Sequence, residues 1–173
     1  MPDVFILGGP NGAGKTTAAT TLLPKQLELV EFVNADDIAR DLSPSDVAAV
    51  SFAAGRMMIN RMRHLISTNT SFAFETTCAS RTHVAVLDRC RRNGWRVSLL
   101  YLWLNSPQLA IDRVANRVQE GGHAVPAEII VRRYWKGLTN MRRLYLEIAH
   151  VVAIFDNSEK DRILVADAAP ANN

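Results

Sequence analysis

Cysteine is scarce in this chain, and no long apolar run interrupts it. The two cysteines, Cys78 and Cys90, are too few for a disulfide framework, and their spacing is not that of a metal-ligand pair. No window of about 18 apolar residues predicts a transmembrane helix. No basic segment followed by an apolar stretch opens the chain, so we expect no secretory signal. These absences favour a cytoplasmic protein with no membrane partner.

Lysine is scarce as well: the chain has 4 lysines against 16 arginines, and its formal net charge is only +3. Arginine binds carboxylates and phosphates in a bidentate manner, so clusters of arginine indicate phosphate handling. The alternative, which we expect for most of these arginines, is that they solvate helix faces. The hydrophobic share of 48% is ordinary for globular proteins, and we expect one domain over residues 1–173 with a frayed tail at about 167–173.

Two kinds of apolar segment alternate along the chain. Short runs rich in β-branched and aromatic residues predict strands at Val4–Gly8, about Leu29–Val33, "SFAFET", "RVSLLYLWL" and "VVAIFDNS", with "RILVA" as a sixth. Between them, apolar residues recur at helical spacing, with a long helix from Ser45, capped by Ser43 or Ser45, to about Asn69. The alternation predicts an α/β protein with a central, mostly parallel sheet of five or six strands.

The stretch "GGPNGAGKTT" follows the first predicted strand and opens the first predicted helix. Gly9, Gly14, Lys15 and Thr16 satisfy the pattern G-x-x-x-x-G-K-[ST], in which backbone N–H groups and a helix N-terminus surround phosphates. Lys15 is then expected at the β- and γ-phosphates of a nucleotide, and the Thr16 hydroxyl at Mg²⁺. The expected nucleotide contacts are Gly9, Asn11, Gly12, Ala13, Gly14, Lys15, Thr16 and Thr17.

Two signatures of other nucleotide-binding proteins are missing from the sequence. There is no LSGGQ-type segment, as in transporter ATPases, and no N-K-x-D motif, as in GTPases. Together these absences favour a small-molecule or polynucleotide kinase.

Acidic residues follow the second and third predicted strands, where a kinase needs a carboxylate to take the acceptor's proton. Asp36 is the preferred catalytic base over Asp37, although either residue would also suit the cap of a helix beginning at Asp37. Glu75 ends the third strand, where a carboxylate is costly without a metal, water or substrate partner. Thr76 suits acceptor binding or a local hydrogen bond, and Arg81 suits the crevice or a helix start.

Arginines flank the glycine-containing loop "EGGHAVP" on two predicted helices. Arg113 and Arg117 share a helix face, and Arg132 and Arg133 lie on the next helix. This arrangement predicts a helical lid at about 113–133 that brings Arg117 and one of the second pair to nucleotide phosphates. The alternative is a solvated face. Four aromatic residues are expected in the core or against the sheet rather than as stacking platforms: Trp95, Trp103, Tyr134 and Trp135.

The ordered motifs "GGPNGAGKTT", "FVNADDIA", "FETT", "RVANRVQEGGHAVP" with "RRY", and "FDNS" resemble the zeta-toxin family of P-loop kinases, in its short bacterial branch. The resemblance implies a three-layer nucleotide-kinase-like fold, ATP with Mg²⁺, and phosphoryl transfer to a sugar hydroxyl. UDP-N-acetylglucosamine is the acceptor that it implies, and an antitoxin the protein partner. By the resemblance, Lys15 and Thr16 hold the nucleotide and the metal, Asp36 is the catalytic base, and Glu75 helps to bind the acceptor. Arg117 and one of Arg132 or Arg133 match the lid arginines of the family. From these matches and the residues themselves we expect Asp36, Lys15, Arg117 and Arg133 to be catalytic, Arg113 and Arg132 to contact the nucleotide, and Asp36, Glu75, Thr76 and Arg81 to bind the acceptor.

The sequence departs from the family on the acceptor side. It has "ETT" where well-studied members have "EGT", "NADD" where they have a "DND"-like stretch, and a shorter chain. Two other functions therefore stay open: an ATP-binding regulatory protein that hydrolyses ATP slowly, and a polynucleotide or nucleoside kinase, for which nucleic acid would be the partner.

Overall fold

The computed structural model describes residues 1–22 and 31–168. Within these residues one six-stranded sheet is formed by β1 (Asp3–Gly8), β2 (Glu31–Val33), β3 (Phe72–Thr76), β4 (Arg96–Trp103), β5 (Val151–Asp156) and β6 (Ile163–Ala168). The strand order is β2-β3-β1-β4-β5-β6. The first five strands are parallel, and β6 is antiparallel to β5. The predicted mostly parallel sheet is confirmed, and the optional sixth strand is present.

Helices connect the parallel strands. They are α1 (Lys15–Leu22), α2 (Ala35–Leu42), α3 (Val47–Ser67), α4 (Thr82–Arg92), α5 (Pro107–Gln119) and α6 (Ala127–Asn140). After α6 the chain continues through a π-helical turn, Met141–Tyr145, into the short α7 (Leu146–Ile148). The start of the second predicted strand, and the end of the predicted tail, lie outside the described residues.

The sheet is buried on both faces because alternate residues of its central strands point to opposite sides. Ile6, Leu99 and Tyr101 belong to a cluster with α3 and α4, whereas Leu7 and Leu100 pack with α1 on the other face. Helices therefore cover the parallel sheet on both sides, which produces the expected three layers.

At the start of a helix, several neighbouring polar residues can each act as the N-cap, and the structure shows which of them does so. Ser106 caps α5 by accepting a hydrogen bond from the Leu109 N–H. For α3, the predicted serine cap is wrong, because Asp46 accepts from the Ala49 N–H instead. For α2, the cap is Asn34 rather than an aspartate.

The position of the α2 cap affects the site. The Asn34 side chain accepts from the Asp36 N–H at 2.9 Å, so the helix begins at Ala35 and not at Asp37. Asp36 and Asp37 consequently stand in the first helical turn, where acidic side chains are favoured by the helix dipole and are not consumed as caps.

Candidate active site

The phosphate loop leaves the carboxyl end of β1 in a conformation that only glycine adopts without strain. Gly9 has φ +146 and Gly12 has φ +74. A Cβ atom at Gly9 would lie 2.4 Å from the Leu102 carbonyl oxygen, and one at Gly12 would lie 2.9 Å from that of Ala110. Both glycines are therefore required by the close approach of the loop to β4 and α5.

Lys15 begins α1 and lies back across this loop. Its ammonium donates hydrogen bonds to the carbonyl oxygens of Gly9, at 3.0 Å, and Pro10, at 2.9 Å. Burial lowers the pKa of Lys15, and the carboxylates of Glu75 and Asp36 oppose that shift. The Oδ1 atom of Asn11 is, among the described residues, the one buried side-chain oxygen or nitrogen without a hydrogen-bond partner. A buried ammonium in a glycine-rich loop at a helix N-terminus fits a phosphate-bearing ligand, whereas the Asn11 oxygen is an acceptor and needs a donor group as its partner.

Thr16 and Glu75 meet at the mouth of the loop. The Thr16 hydroxyl donates to Glu75 Oε1 at 2.8 Å. Burial raises the pKa of Glu75, while the charge of Lys15 and the hydrogen bond from Thr16 lower it. Parallel pairing of β1 with β3 causes this meeting, because Leu7 is in register with Glu75. The hydroxyl expected at the metal and the acid expected at the acceptor are thus direct neighbours.

A Mg²⁺ ion would find oxygen ligands at this point. Among the described residues, no group of three or more His, Cys, Asp and Glu side chains could hold a metal by itself. Mg²⁺ in phosphoryl-transfer sites commonly binds one or two side-chain oxygens and the substrate phosphates. Thr16 and Glu75 suit that arrangement.

Asp36 and Asp37 have different surroundings although they are adjacent. Asp37 accepts a hydrogen bond from Arg40 Nη2 at 2.5 Å and forms an ion pair with it on the surface of α2. Asp36 takes part in none of the ion pairs between described residues, and its charge acts on Lys15, Glu75 and Arg133. The preference for Asp36 as the catalytic base therefore gains a structural argument, since its carboxylate is the one left for an acceptor.

The two arginines of the second lid pair, Arg132 and Arg133, point in different directions because they are adjacent on α6. Arg132 is exposed, whereas Arg133 is half-buried. Burial lowers the pKa of Arg133, and the negative charge of Asp36 opposes this. Arg133 is accordingly the member of the pair that lies toward the acidic cluster.

The arginines of α5 are held by backbone carbonyls. Arg117 is exposed and donates from Nη2 to the His123 oxygen at 3.4 Å. Arg113 donates from Nη1 to Asn157 O at 2.7 Å and from Nη2 to Ser158 O at 2.8 Å. In this conformation Arg113 joins α5 to the loop after β5.

Two residues assigned to the acceptor lie apart from the cluster. Thr76 is 7% exposed, and its Oγ1 accepts from the Cys78 N–H at 3.0 Å and lies 3.3 Å from His83 Nδ1. Its hydroxyl is thus engaged in a local turn, which was the alternative interpretation of this residue. Arg81 is exposed at the start of α4 and borders a separate groove on α6.

Sequence patterns missed residues that hold the site's loops in place. The Asn157 side chain donates to the Ala13 carbonyl of the phosphate loop at 2.8 Å. Asn140 donates to the carbonyls of Cys78, at 2.9 Å, and Ala79, at 3.1 Å. Of these two asparagines, only Asn157 lies in a motif of the sequence analysis, "FDNS", and that motif does not indicate which residue Asn157 contacts. The prediction that Trp135 is buried is wrong, because its side chain is 55% exposed on the outer face of α6.

The fold and this cluster together define a P-loop kinase. A phosphate loop follows the central first strand of a parallel sheet, acidic residues stand at the carboxyl ends of β3 and β2 on one side of it, and arginines stand on α5 and α6. The family model described as Zeta toxin matches residues 1–168, and the chain belongs to that family. Among the described residues, no helix is both long and apolar enough to cross a membrane.

Similar proteins include one relative and several solved structures. An uncharacterized protein of Haemophilus influenzae is 27% identical over 126 residues, which cover 73% of this chain and 88% of that protein. A structure of the PezAT chromosomal toxin-antitoxin system of Streptococcus pneumoniae matches with a TM-score of 0.73 and 20% identity, over 96% of this chain and 72% of that one.

A second solved structure, the AvrRxo1-ORF1:-ORF2 complex, matches with a TM-score of 0.78 and 17% identity. The match covers 98% of this chain and 59% of that chain, and this complex is also known with ATP. Because the sequence identities are 20% or less, these structural matches show a shared fold alone.

Proposed function

We propose that the protein is an ATP- and Mg²⁺-dependent phosphotransferase that moves the γ-phosphoryl group to a hydroxyl of a small acceptor. The observation that carries the proposal is the meeting of Lys15, Thr16 and Glu75 at the phosphate loop, with Asp36 and Arg133 acting on the same cluster. The family resemblance and the AvrRxo1-ORF1:-ORF2 structure with ATP support ATP as the donor. A sugar nucleotide such as UDP-N-acetylglucosamine is the first acceptor to test, and an ATP-dependent reaction suits a cytoplasmic location.

In the proposed reaction, the loop and Lys15 bind the β- and γ-phosphates. Mg²⁺, held by Thr16 and Glu75, would supply charge neutralisation between those phosphates. Asp36 orients the acceptor hydroxyl and accepts its proton as the new oxygen–phosphorus bond forms and the bond to the ADP oxygen breaks. Arg133 and Arg117 stabilise the negative charge that spreads over the transferred group. We further propose that residues 113–133 close as the lid, within a single domain spanning residues 1–173.

The adjacent aspartates allow a sharp test of the base. Asp36→Asn keeps the shape of the side chain but removes its proton acceptor, so transfer from labelled ATP to a panel of acceptors should fall about 10²- to 10⁴-fold. ATP affinity should change far less than transfer, because the Asp36 side chain forms no hydrogen bond or ion pair with the phosphate loop among the described residues.

Asp37→Asn is the matched control, since it removes the same charge one residue away, from a carboxylate already paired with Arg40. It should keep nearly full activity. Wild-type turnover in Asp36→Asn, or an equal loss in both variants, would refute the assignment.

We also propose an antitoxin-type protein partner. The support is the family membership and the likeness to PezAT, which is a toxin-antitoxin system. Induced expression should arrest bacterial growth, and Asp36→Asn should relieve the arrest at equal protein levels. Growth arrest of the same depth with Asp36→Asn would separate any toxicity from the proposed transfer.

A further inference from the structure

The segment after β5, which contains the motif "FDNS", has no role in the proposed reaction, although it lies beside the phosphate loop. The Asn157 Nδ2 atom donates to the Ala13 carbonyl oxygen at 2.8 Å. The same nitrogen lies 3.2 Å from the point that a Cβ atom on Gly14 would occupy. The Asn157 amide is therefore in direct contact with the peptide that joins Ala13 to Gly14.

The orientation of this peptide decides what the loop offers to a phosphate. In a planar trans peptide the C=O and the N–H point in opposite directions. Because the Ala13 C=O points to Asn157, the Gly14 N–H points away from it, and this N–H donates no hydrogen bond to another described residue. An unpaired N–H in a glycine-rich loop at a helix N-terminus is a donor for a phosphate oxygen.

Glycine leaves this peptide free to rotate unless something holds it. Gly14 has φ +76, and glycine adopts positive and negative φ about equally readily. A rotation of the peptide would exchange the positions of its C=O and N–H, so that the carbonyl oxygen would face a bound phosphate. Two oxygens that both carry negative charge repel each other. A hydrogen bond to the Ala13 carbonyl thus keeps the loop in the state that binds phosphate.

Asn157 is itself held from three other sides. Its backbone N–H donates to the Trp103 carbonyl oxygen at 2.9 Å, and its backbone carbonyl oxygen accepts from Arg113 Nη1 at 2.7 Å. Its Oδ1 atom accepts from Arg162 Nε at 3.2 Å, and this bond fixes which end of the amide faces the loop, because only an oxygen can accept from an arginine. Every polar atom of Asn157 thus has a protein partner, as is typical of a residue that orients a loop.

We propose that Asn157 is a positioning residue for the donor phosphates: its amide holds the peptide between Ala13 and Gly14 so that the Gly14 N–H faces a phosphate group before any ligand is bound. The inference rests on the proposed function, because it names what prepares the nucleotide half of that site. The ligand that it concerns is the chain of phosphates and not the base or the ribose.

The test measures the affinity of the full chain for ATP and for inorganic tripolyphosphate, each with Mg²⁺, by calorimetry. Tripolyphosphate has the phosphates but neither base nor ribose. Asn157→Ala removes the donor, so only a fraction of the molecules have the loop in its binding state, and both dissociation constants should rise by the reciprocal of that fraction, at least about tenfold. The factor should be the same for the two ligands, because the peptide meets only phosphate.

Asn157→Asp is a second variant, which keeps the size of the side chain and its contact with Arg162. Its second carboxylate oxygen repels the Ala13 carbonyl, so its affinity for tripolyphosphate should fall at least as far as that of Asn157→Ala. Thermal melts without ligand establish that each variant is folded at the temperature of the binding measurement.

Arg162→Lys is the matched control. It keeps the positive charge but lacks the Nε donor, so it breaks the contact on the other side of the same amide and leaves the bond to Ala13. Its dissociation constants should stay within about threefold of those of the wild type. An equal loss in Arg162→Lys and Asn157→Ala would mean that any loosening of the loop after β5 weakens binding, and would overturn the proposal.

Three other results would overturn it as well. The first is wild-type affinity for tripolyphosphate in Asn157→Ala or Asn157→Asp. The second is a loss of affinity for ATP alone, which would place the action of Asn157 at the base or the ribose. The third is tripolyphosphate binding no tighter than about 1 mM in the wild type, since the ligand-free loop would then not be prepared for phosphate.

The two proposals can fail separately, because binding is measured without an acceptor. If Asn157→Ala weakens tripolyphosphate binding but no acceptor receives phosphate from ATP, the phosphotransferase fails and the positioning role stands. If an acceptor is phosphorylated with the same KM for ATP by the wild type and by Asn157→Ala, the positioning role fails and the phosphotransferase stands.

Discussion

Glu75 shows how burial and charge oppose one another within a single residue of the site. Its carboxylate has a cation, Lys15, and a hydrogen-bond donor, Thr16, nearby, yet burial outweighs both and raises its pKa. The folded protein therefore holds this carboxylate at a cost in the absence of a ligand. A divalent cation bound to it would remove that cost.

Glu75→Gln should therefore stabilise the ligand-free protein while it abolishes transfer. The amide keeps an oxygen for Thr16 but carries no charge. Because the pKa of the folded state is raised, the wild type bears the full penalty at neutral pH and loses it as the pH falls through that pKa toward the ordinary glutamate value of about 4.3. The melting temperature of Glu75→Gln should exceed that of the wild type at neutral pH, and the difference should shrink in acid.

Circular dichroism melts across this pH range check that expectation. Asp41→Asn, which removes one exposed carboxylate at the end of α2, is the control and should melt close to the wild type. A destabilised Glu75→Gln at neutral pH would mean that the attraction of Lys15 exceeds the cost of burial.

The two cysteines should be chemically inert in the native protein. Both side chains are fully buried, and burial raises the pKa of Cys78 to about 12 and that of Cys90 to about 11. Iodoacetamide at about pH 8 should leave the native mass unchanged and add two labels in guanidinium chloride. Rapid native labelling of Cys78 would show that the turn after β3 opens easily.

Among the elements, α6 sets the position of Arg133 relative to the acidic cluster. The helix can lie against the loop after β3 because Gly137 has no side chain. Asn140 then fastens the same contact with two hydrogen bonds. The position of Arg133 relative to Glu75 consequently depends on Gly137 and Asn140, which hold α6 against the loop after β3.

Gly137→Ala should lower both stability and kcat. Its Cβ atom would meet backbone at 2.1 Å, so α6 must shift and move Arg133, and we expect a loss of about 1–3 kcal/mol in stability and at least about tenfold in kcat. Gly55→Ala, in the middle of α3 with no atom within 4 Å of the added Cβ, is the control and should gain about 0.5–1 kcal/mol. Thermal melts and transfer assays on both variants decide the matter, and wild-type kcat in Gly137→Ala would contradict it.

Sequence patterns predict elements well where one local signal dominates, and less well where partners come from far along the chain. The glycines of the phosphate loop, and Pro107 after the Ser106 cap, act through their own backbone, so their roles are readable from the sequence. Which of Arg132 and Arg133 turns inward depends on the packing of α6. The bond from Asn157 to Ala13 joins residues 144 positions apart, and no local pattern encodes it.

On the scale of the whole molecule, parallel pairing brings the ends of β1, β2 and β3 to one edge of the sheet. The phosphate loop, Asp36 and Glu75 come from three separate segments and meet only because these strands are neighbours in the order β2-β3-β1. The alternation of strands and helices predicted this edge from the sequence. The exposed Trp135 was not predictable in this way, because an aromatic residue within a helix usually indicates core packing.

A ligand that joins these segments should stabilise the entire chain. ATP at 100 times its Kd adds about 2.7 kcal/mol to the free energy of unfolding, which for a chain of this size raises the melting temperature by roughly 5–10 °C. Lys15→Ala should lose most of this shift, because the ammonium that lies across the loop is the cation expected at the phosphates. Asp36→Asn should keep it, since that residue serves the acceptor. Thermal melts with Mg²⁺ and increasing ATP test both expectations, and an equal shift in Lys15→Ala would place ATP somewhere other than the loop.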